Sequence, residues 1–410
     1  MPLEINARQV IMRKIFSGLL IIGLSFAPSV WGGQEAKPEE PPPRHRAVNL
    51  SLFYPVSTNR TQQDTANVSL SLLYGHLGTV RGLDLSLGAA FVERSLEGVQ
   101  LALLIAAAGE SVQGIQAAGL ISVAGDRGEG IQFAGLGSVA GEEFSGLQVA
   151  GLFSVAGERL QGAQFSWLFN VAGESAKGFQ ATGLFNVAGD DLDGVQLSWL
   201  FNVAGEDSRA FQAAFLMNVT GGTCRGLQVG SFNVAGKLRG VQIGLVNVAE
   251  EIEGVPIGLV NLTRKEDRRI QMAAWVSSLT FLNPGIKIWA KRFYSVLYLG
   301  GWNLPQDIEK CLGYGFQYGY AFPLRASEGG GTRKRIDVDA GYLYLDNSDL
   351  LSHEGNLDRH VLSVRGALAL ELAPNVSLVG GVGLGYRIDY GTSFSSGSFF
   401  PLVFAGIELF

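Results

Sequence analysis

The residues able to do chemistry are few, and their spacing is mostly wrong for it. Histidine occurs as His45, His76, His353 and His360. His353-Glu354 stands seven residues ahead of His360, which is not the i, i+4 spacing of a zinc-binding helix. Cys224 and Cys311 lie in different regions, so an exported chain could pair them or keep two isolated thiols. Gly381-Val382-Gly383-Leu384-Gly385 has nucleotide-loop spacing but sits in a strand-like stretch with no helix behind it. The sequence carries no phosphate loop, nucleophile elbow or Cys/His cluster. One series of acids stands out: Glu110, Asp126, Glu142, Glu158, Glu174, Asp190 and Glu206, spaced by sixteen. Carboxylate oxygens suit calcium, which makes Glu158, Glu174, Asp190 and Glu206 the metal candidates. A solvated acidic edge explains the same pattern without a metal. Nothing implies a catalytic residue or a cofactor, and the expectation is a protein that is not an enzyme.

The acids belong to a larger repeat. Gln recurs at 100, 116, 132, 148, 164, 180, 196, 212 and 228, with Asp84 in the preceding slot. Gly stands two residues before most of these glutamines, Ala210 being the exception. Six residues after the Gln come Ser122, Ser138 and Ser154, then Asn170, Asn186, Asn202 and Asn218. After Gln228 the period shortens to fourteen, giving Gln242 and then Pro256. Each unit is rich in Val, Leu, Ile and Phe between glycine and polar residues, which is strand composition with turn punctuation.

Two architectures fit. In a β-solenoid each unit is one coil of two short strands. Val195, Leu197, Phe201 and Val203 would then point inward, and Gln196, Ser198 and Asn202 outward, with amides stacked at strand spacing. In an antiparallel β-barrel each unit is one long strand of period two. The turns read Ala-Gly-Glu or Ala-Gly-Asp without odd-even alternation, and the one-residue deletion between Gln242 and Asn247 would invert the faces of a single strand. Both observations favour the solenoid. Against it stands the acidic column, whose like charges repel, weakly in water and salt.

The flanks organise the rest. Met12-Arg13-Lys14 and the apolar run 15–30 resemble a secretory signal, with Met12 the expected start and residues 1–32 the expected signal peptide; a membrane anchor is the alternative, against which stand the short run and Pro28. Residues 33–47 contain Pro38 and Pro41-Pro42-Pro43 and predict a stiff tether. Residues 48–81 predict N-terminal strands, which could complete the C-terminal sheet. The repeat array spans 82–270. Residues 271–410 show strands of about ten residues with aromatic alternation and unequal polar loops, as in a small outer-membrane barrel; a soluble β-sandwich is the alternative. The terminal Phe410, with Phe404 and Leu402, resembles a barrel assembly signal, which Glu408 interrupts.

Gly-Leu-Phe-Asn-Val-Ala-Gly at 183–189, Gly-Val-Gln-Ile-Gly-Leu-Val-Asn-Val-Ala at 240–249 and Gly-Val-Pro-Ile-Gly-Leu-Val-Asn-Leu at 254–262 resemble the surface-repeat proteins of Gram-negative bacteria and spirochaetes. Tyr54-Pro55-Val56-Ser57-Thr58-Asn59 is similar to their opening segment. The resemblance implies an exported chain at the outer membrane or cell surface and assigns no catalytic residue. A net charge of -6 with no basic stripe argues against a nucleic-acid partner. The expected function is a structural or binding scaffold for a surface partner, protein or glycan. An outer-membrane pore or transport barrel is the second reading, and a carbohydrate-acting enzyme on a β-solenoid the third. Oligomeric state leaves no signal in the sequence.

Overall fold

A computed structural model describes residues 44–59, 61–264, 270–301, 312–324, 333–346, 358–373, 375–390 and 395–409. The expected signal peptide, most of the tether, Cys311, His353 and Phe410 lie outside the described residues. Among the described residues every regular element is a strand. Two compact units result, residues 44–179 with 187–189, and residues 180–186 with 190–409. Each is taken by itself below.

The first unit is a parallel β-solenoid, not an antiparallel array. Strand Glu143–Ala150 pairs in register with Arg127–Ala134 on one side and Arg159–Ser166 on the other, so Gln132, Gln148 and Gln164 are direct neighbours. The second strand of each coil does the same, with Ser138, Ser154 and Asn170 aligned. The N-terminal strands belong to this stack. His45–Phe53 pairs parallel with Thr65–Ser86, which pairs parallel with Ala89–Ala102. They do not complete the C-terminal sheet, because their hydrogen-bonding edges are already taken up in the solenoid.

The orientation of the coil is the reverse of the sequence expectation. Gln100, Gln116, Gln132, Gln148 and Gln164 are fully buried, as are Ser122, Ser138, Ser154 and Asn170. The side chains that alternate with them face out: Phe133 is 54% exposed and Leu103 61%. The interior is too narrow for two layers of branched side chains. Its other lining positions are mainly Ala, two and eight residues after the Gln: Ala134 and Ala140, Ala150 and Ala156. A column four residues before the Gln varies in size, and Gly128 leaves the room that the Phe144 ring fills.

Buried amides are tolerable here because the stack satisfies them. Gln132 Nε2 donates to Gln116 Oε1 at 2.8 Å, Gln148 to Gln132 at 2.8 Å and Gln164 to Gln148 at 2.8 Å. The second amide hydrogen of each reaches across the coil to a backbone carbonyl, Val139, Val155 or Val171. Both donors are used and each side-chain carbonyl accepts from the next coil, so little of the desolvation cost remains. The glycine two residues before each Gln, such as Gly146 at φ 131°, bends the strand through a conformation that L side chains rarely adopt.

The second unit repeats the coil and adds a barrel. Gln196 donates to Gln180, Gln212 to Gln196 and Gln228 to Gln212, at 2.8–2.9 Å. Ala210 stands in the slot of the bend glycine before strand Phe211–Ala214, and Gly226 returns to that slot before Leu227–Val229. The fourteen-residue coils keep both columns aligned, Gln228 with Gln242 and Asn233 with Asn247, so a corner absorbs the deletion. Pro256 then ends the Gln column, and Gln242 Oε1 finds no donor.

Strands Ile270–Ser277, Asn283–Ala290, Phe293–Gly301, Leu312–Pro323, Lys334–Asp346, Asp358–Ala373, Val376–Tyr390 and Ser395–Leu409 form the closed barrel. All neighbours are antiparallel, and the first strand pairs with the last from Met272↔Leu409 to Ser277↔Phe404. The outer wall of this barrel covers the last coil. Ser295 Oγ donates to Gly258 O at 2.9 Å, the Tyr318 hydroxyl to Pro256 O at 2.6 Å and Lys291 Nζ to Ile252 O at 2.8 Å. Ala290 joins the buried cluster of Cys224, Ala235, Leu238, Ala249 and Ile252. Carbonyls that an open solenoid end would expose therefore have partners.

The inverted coil makes a stability prediction. Gln148→Leu leaves Gln132 Oε1 without its donor and takes the Gln148 acceptor from Gln164 Nε2. At roughly 1–3 kcal/mol per orphaned buried group, the two together should cost about 2–6 kcal/mol. Outward Leu152→Ala should cost about 1 kcal/mol or less. Urea unfolding of both variants checks this, and a Gln148→Leu midpoint equal to the parent's would return the amides to the surface.

Candidate functional site

The acidic column lies along one edge of the coils, spaced as the repeat requires. The Glu174 amide donates to Glu158 O at 2.7 Å in the first unit, and the Glu206 amide to Asp190 O at 2.8 Å in the second. It is not a bare stack of like charges. Arg159 stands 3.7 Å from Glu158 and 3.5 Å from Glu174, and it also pairs with Glu143. In the shorter coils Lys237 reaches Glu251 at 3.1 Å and Glu253 at 2.6 Å. These are exposed pairs of small individual worth, but they offset the repulsion expected of the column. Among the described residues no three His, Cys, Asp or Glu side chains stand close enough together to hold a metal ion. Calcium at Glu158, Glu174, Asp190 and Glu206 thus has the repeat spacing behind it and no built cage.

The other reactive groups are dispersed. His45 Nε2 contacts Asn67 at 3.0 Å. His76 lies between the Tyr74 hydroxyl, at 2.9 Å, and Glu93, at 3.3 Å. Burial lowers the His76 pKa, against the opposing pull of Glu93. Cys224 is a buried thiol whose pKa burial raises. The glycines at 381, 383 and 385 lie in a barrel strand, as their sequence setting implies, and two of them seat rings: a Cβ at Gly381 would strike Phe404, and one at Gly385 would strike Phe400.

Asp84 is the end of the Gln column. It occupies the Gln slot of its coil and is 3% exposed, and its Oδ2 accepts from Gln100 Nε2 at 3.0 Å. An amide column that donates toward its N-terminal end needs an acceptor there, and a carboxylate supplies one. Burial raises the Asp84 pKa, and the hydrogen bonds from Gln100 and Ser69 only partly counter it.

The concentrated charge of the second unit lies inside the barrel. Lys287 Nζ binds Asp337 at 2.9 Å and Glu408 at 2.7 Å, and Arg335 joins both carboxylates. Arg365 binds Asp339 at 2.8 Å and also Gln317, and the Tyr294 hydroxyl donates to Asp339 at 2.9 Å. Three cations thus meet three carboxylates, so the network is balanced, as buried charges must be. Trp275, Trp289, Tyr294, Tyr298 and Phe404 pack around it, and Lys287 Nζ sits 3.8 Å from the Tyr294 ring centroid. The void among these charged side chains is about 40 Å³, enough for water alone. Glu408 therefore interrupts the aromatic alternation for a reason. It lies on the lumen side with Phe404 and Leu402, while Val403 and Ile407 face outward. The outer wall is apolar: Val364, Val382 and Leu384 are each more than half exposed.

Asp84 carries a pH prediction. Its folded pKa is raised, so its stabilising contribution is fully present below the unfolded value and is lost as pH rises through the folded value. Asp84→Asn keeps an acceptor for Gln100 and cannot ionise. It should exceed the parent in stability at neutral pH, with the gap closing as pH falls toward the ordinary carboxylate value of 3.8. Urea midpoints across this range test it, and parallel profiles for the two proteins would refute it.

No family model matches the chain, and neither a curated protein nor a solved structure matches it.

Proposed function

We propose that this is a non-enzymatic protein of the outer membrane or cell surface, whose barrel spans the bilayer and whose repeat coils serve as a scaffold for a protein or glycan partner. One observation carries the reading: the closed eight-stranded barrel has apolar side chains on its outer wall and balanced ion pairs inside. That is the polarity of a membrane barrel, in which backbone groups pair between strands and outward residues meet lipid. A soluble sandwich would place its apolar residues between two sheets instead. The resemblance to surface-repeat proteins and the signal-like N-terminus support the same location.

The filled lumen speaks against the pore reading. Eight strands give an interior just wide enough for side chains, and here they occupy it. The enzyme reading needs carboxylates on a coil face, whereas the acidic column stands at an edge.

Three outcomes follow for the mature protein. Fractionation should recover it with outer membranes, and a cytoplasmic product would sink the proposal. Val364→Arg, which puts a charge on the wall, should cost about 2–4 kcal/mol of folding stability in phospholipid vesicles if it lies near the bilayer midplane; an unchanged urea midpoint there would place the wall in water. Planar bilayers containing the protein should show no ion conductance, and stable single-channel steps would restore the pore.

A further inference from the structure

We infer that, in the second unit, the apolar corner of the repeat coils is itself a membrane-contact surface that lies against the bilayer into which the barrel inserts. The inference rests on barrel insertion and extends the lipid boundary onto the solenoid.

Each coil of this unit has two chemically different corners. One carries the charges, among them Glu206, Arg225, Arg239 and Glu253. The opposite one, between the Gln strand and the Asn strand, carries none: segments 195–203, 211–219, 227–234, 241–248 and 255–262 contain no Asp, Glu, Lys or Arg. What that corner exposes is large and apolar. Trp199 is 64% exposed, Phe215 65%, Leu245 53% and Leu259 38%. The Trp199 and Phe215 rings stack on adjacent coils with centroids 5.4 Å apart; Ser231 takes the slot in the next coil, beside the 43% exposed Phe232, and Leu245 and Leu259 resume the row. Contiguous apolar surface rimmed by charge marks an interaction site.

Two observations identify a lipid surface as the occupant. First, the ridge runs into the barrel wall. Gly258, next to Leu259, accepts the hydrogen bond from Ser295. Leu297 and Leu299, on the same outward face of that barrel strand, are exposed. The apolar wall therefore begins about one pleat beyond the last coil, roughly 7 Å at strand rise. Second, the ridge includes a tryptophan, a side chain suited to the membrane–water boundary. A coil with one apolar and one charged corner is the β counterpart of an amphipathic helix lying in the interface.

Nitroxide accessibility tests this in the full mature chain folded into phosphatidylethanolamine–phosphatidylglycerol vesicles. Labels go on Phe215→Cys and Leu245→Cys for the ridge, Glu206→Cys for the charged corner and Val382→Cys for the barrel wall, with Cys224 and Cys311 replaced. The ridge labels should collide with oxygen and be several-fold less accessible to an aqueous nickel chelate than the label at 206. A ridge as nickel-accessible as position 206, with Val382 in lipid, overturns the inference and leaves the barrel reading standing. A nickel-accessible Val382 overturns both. Ridge labels shielded from both reagents, with spin–spin broadening that disappears on dilution with unlabelled protein, would assign the ridge to a second copy of the chain and overturn the inference as well.

Discussion

The fold depends on how buried amides are satisfied. In the second unit the Gln and Asn columns run through the same coils with opposite polarity. Each Gln donates to the Gln of the coil before it, as Gln212 does to Gln196. Each Asn donates to the Asn of the coil after it: Asn202 to Asn218, Asn218 to Asn233, Asn233 to Asn247 and Asn247 to Asn261. The two sets of amide dipoles are opposed, so the stack gains hydrogen bonds that polarise one another without accumulating a large net dipole. One hydrogen bond is worth only about 1 kcal/mol net, but an unmade one in this interior costs as much or more. The columns therefore favour a single register. A coil displaced by one residue would offer a methyl or a branched side chain where an amide is required.

That constraint dictates the outside of the molecule. Once Gln, Asn or Ser, and Ala fill the narrow interior, period-two alternation leaves Val, Leu, Ile and Phe on the outer faces. Burying a large apolar side chain is worth about 1.5–3 kcal/mol relative to exposing it, so a coil of this composition facing only water gives up much of that stabilisation. The first unit shows the same pattern by itself, with an open groove of about 940 Å³ along Leu50, Leu52, Leu70, Leu72, Leu87 and Leu103. The barrel has the same polarity, charged side chains within and apolar side chains without, so the second unit uses one principle in both its parts.

Much of this was legible in the residues. The sixteen-residue period, its shortening to fourteen, the uniform Ala-Gly-Glu turns and the long aromatic strands after Gly285 lead to a solenoid followed by a barrel. The faces of the coil were not legible from hydropathy, because alternation says that two faces differ and not which one is inside. The telling signal was size. Ala108, Ala124, Ala140, Ala156, Ala172 and Ala204 recur on the side of Gln, Ser and Asn, while the other side varies among Val, Leu, Phe and Ile. A position that holds only a methyl in coil after coil is confined; variable size marks no face, because the column four residues before the Gln runs through Leu96, Val112, Gly128, Phe144 and Leu160 and is buried throughout. The lumen network was hidden for a different reason: Lys287, Asp337 and Glu408 come from three strands far apart in sequence, and barrel closure alone brings them together.

The junction explains why coils and barrel occur in one unit. A parallel stack has an unpaired last strand, and repeat arrays need an end that differs from their middle. Here the Asn column continues into the barrel wall. Asn261 Nδ2 donates to Ser295 Oγ at 3.1 Å, and the Ser295 hydroxyl in turn donates to Gly258 O of the same coil at 2.9 Å. Pro256 contributes from the start of the same strand, Val255–Thr263: it has no side-chain amide to extend the Gln column, and its carbonyl accepts from Tyr318. Ser295 lies between Tyr294, which binds Asp339 in the lumen, and Val296, also buried on the lumen side. The side chain that ends the solenoid is thus held by the strand that organises the barrel interior. Loosening that strand would unpair the last coil as well as the lumen carboxylates, so the barrel acts as the folding cap of the coils and not only as a neighbouring domain.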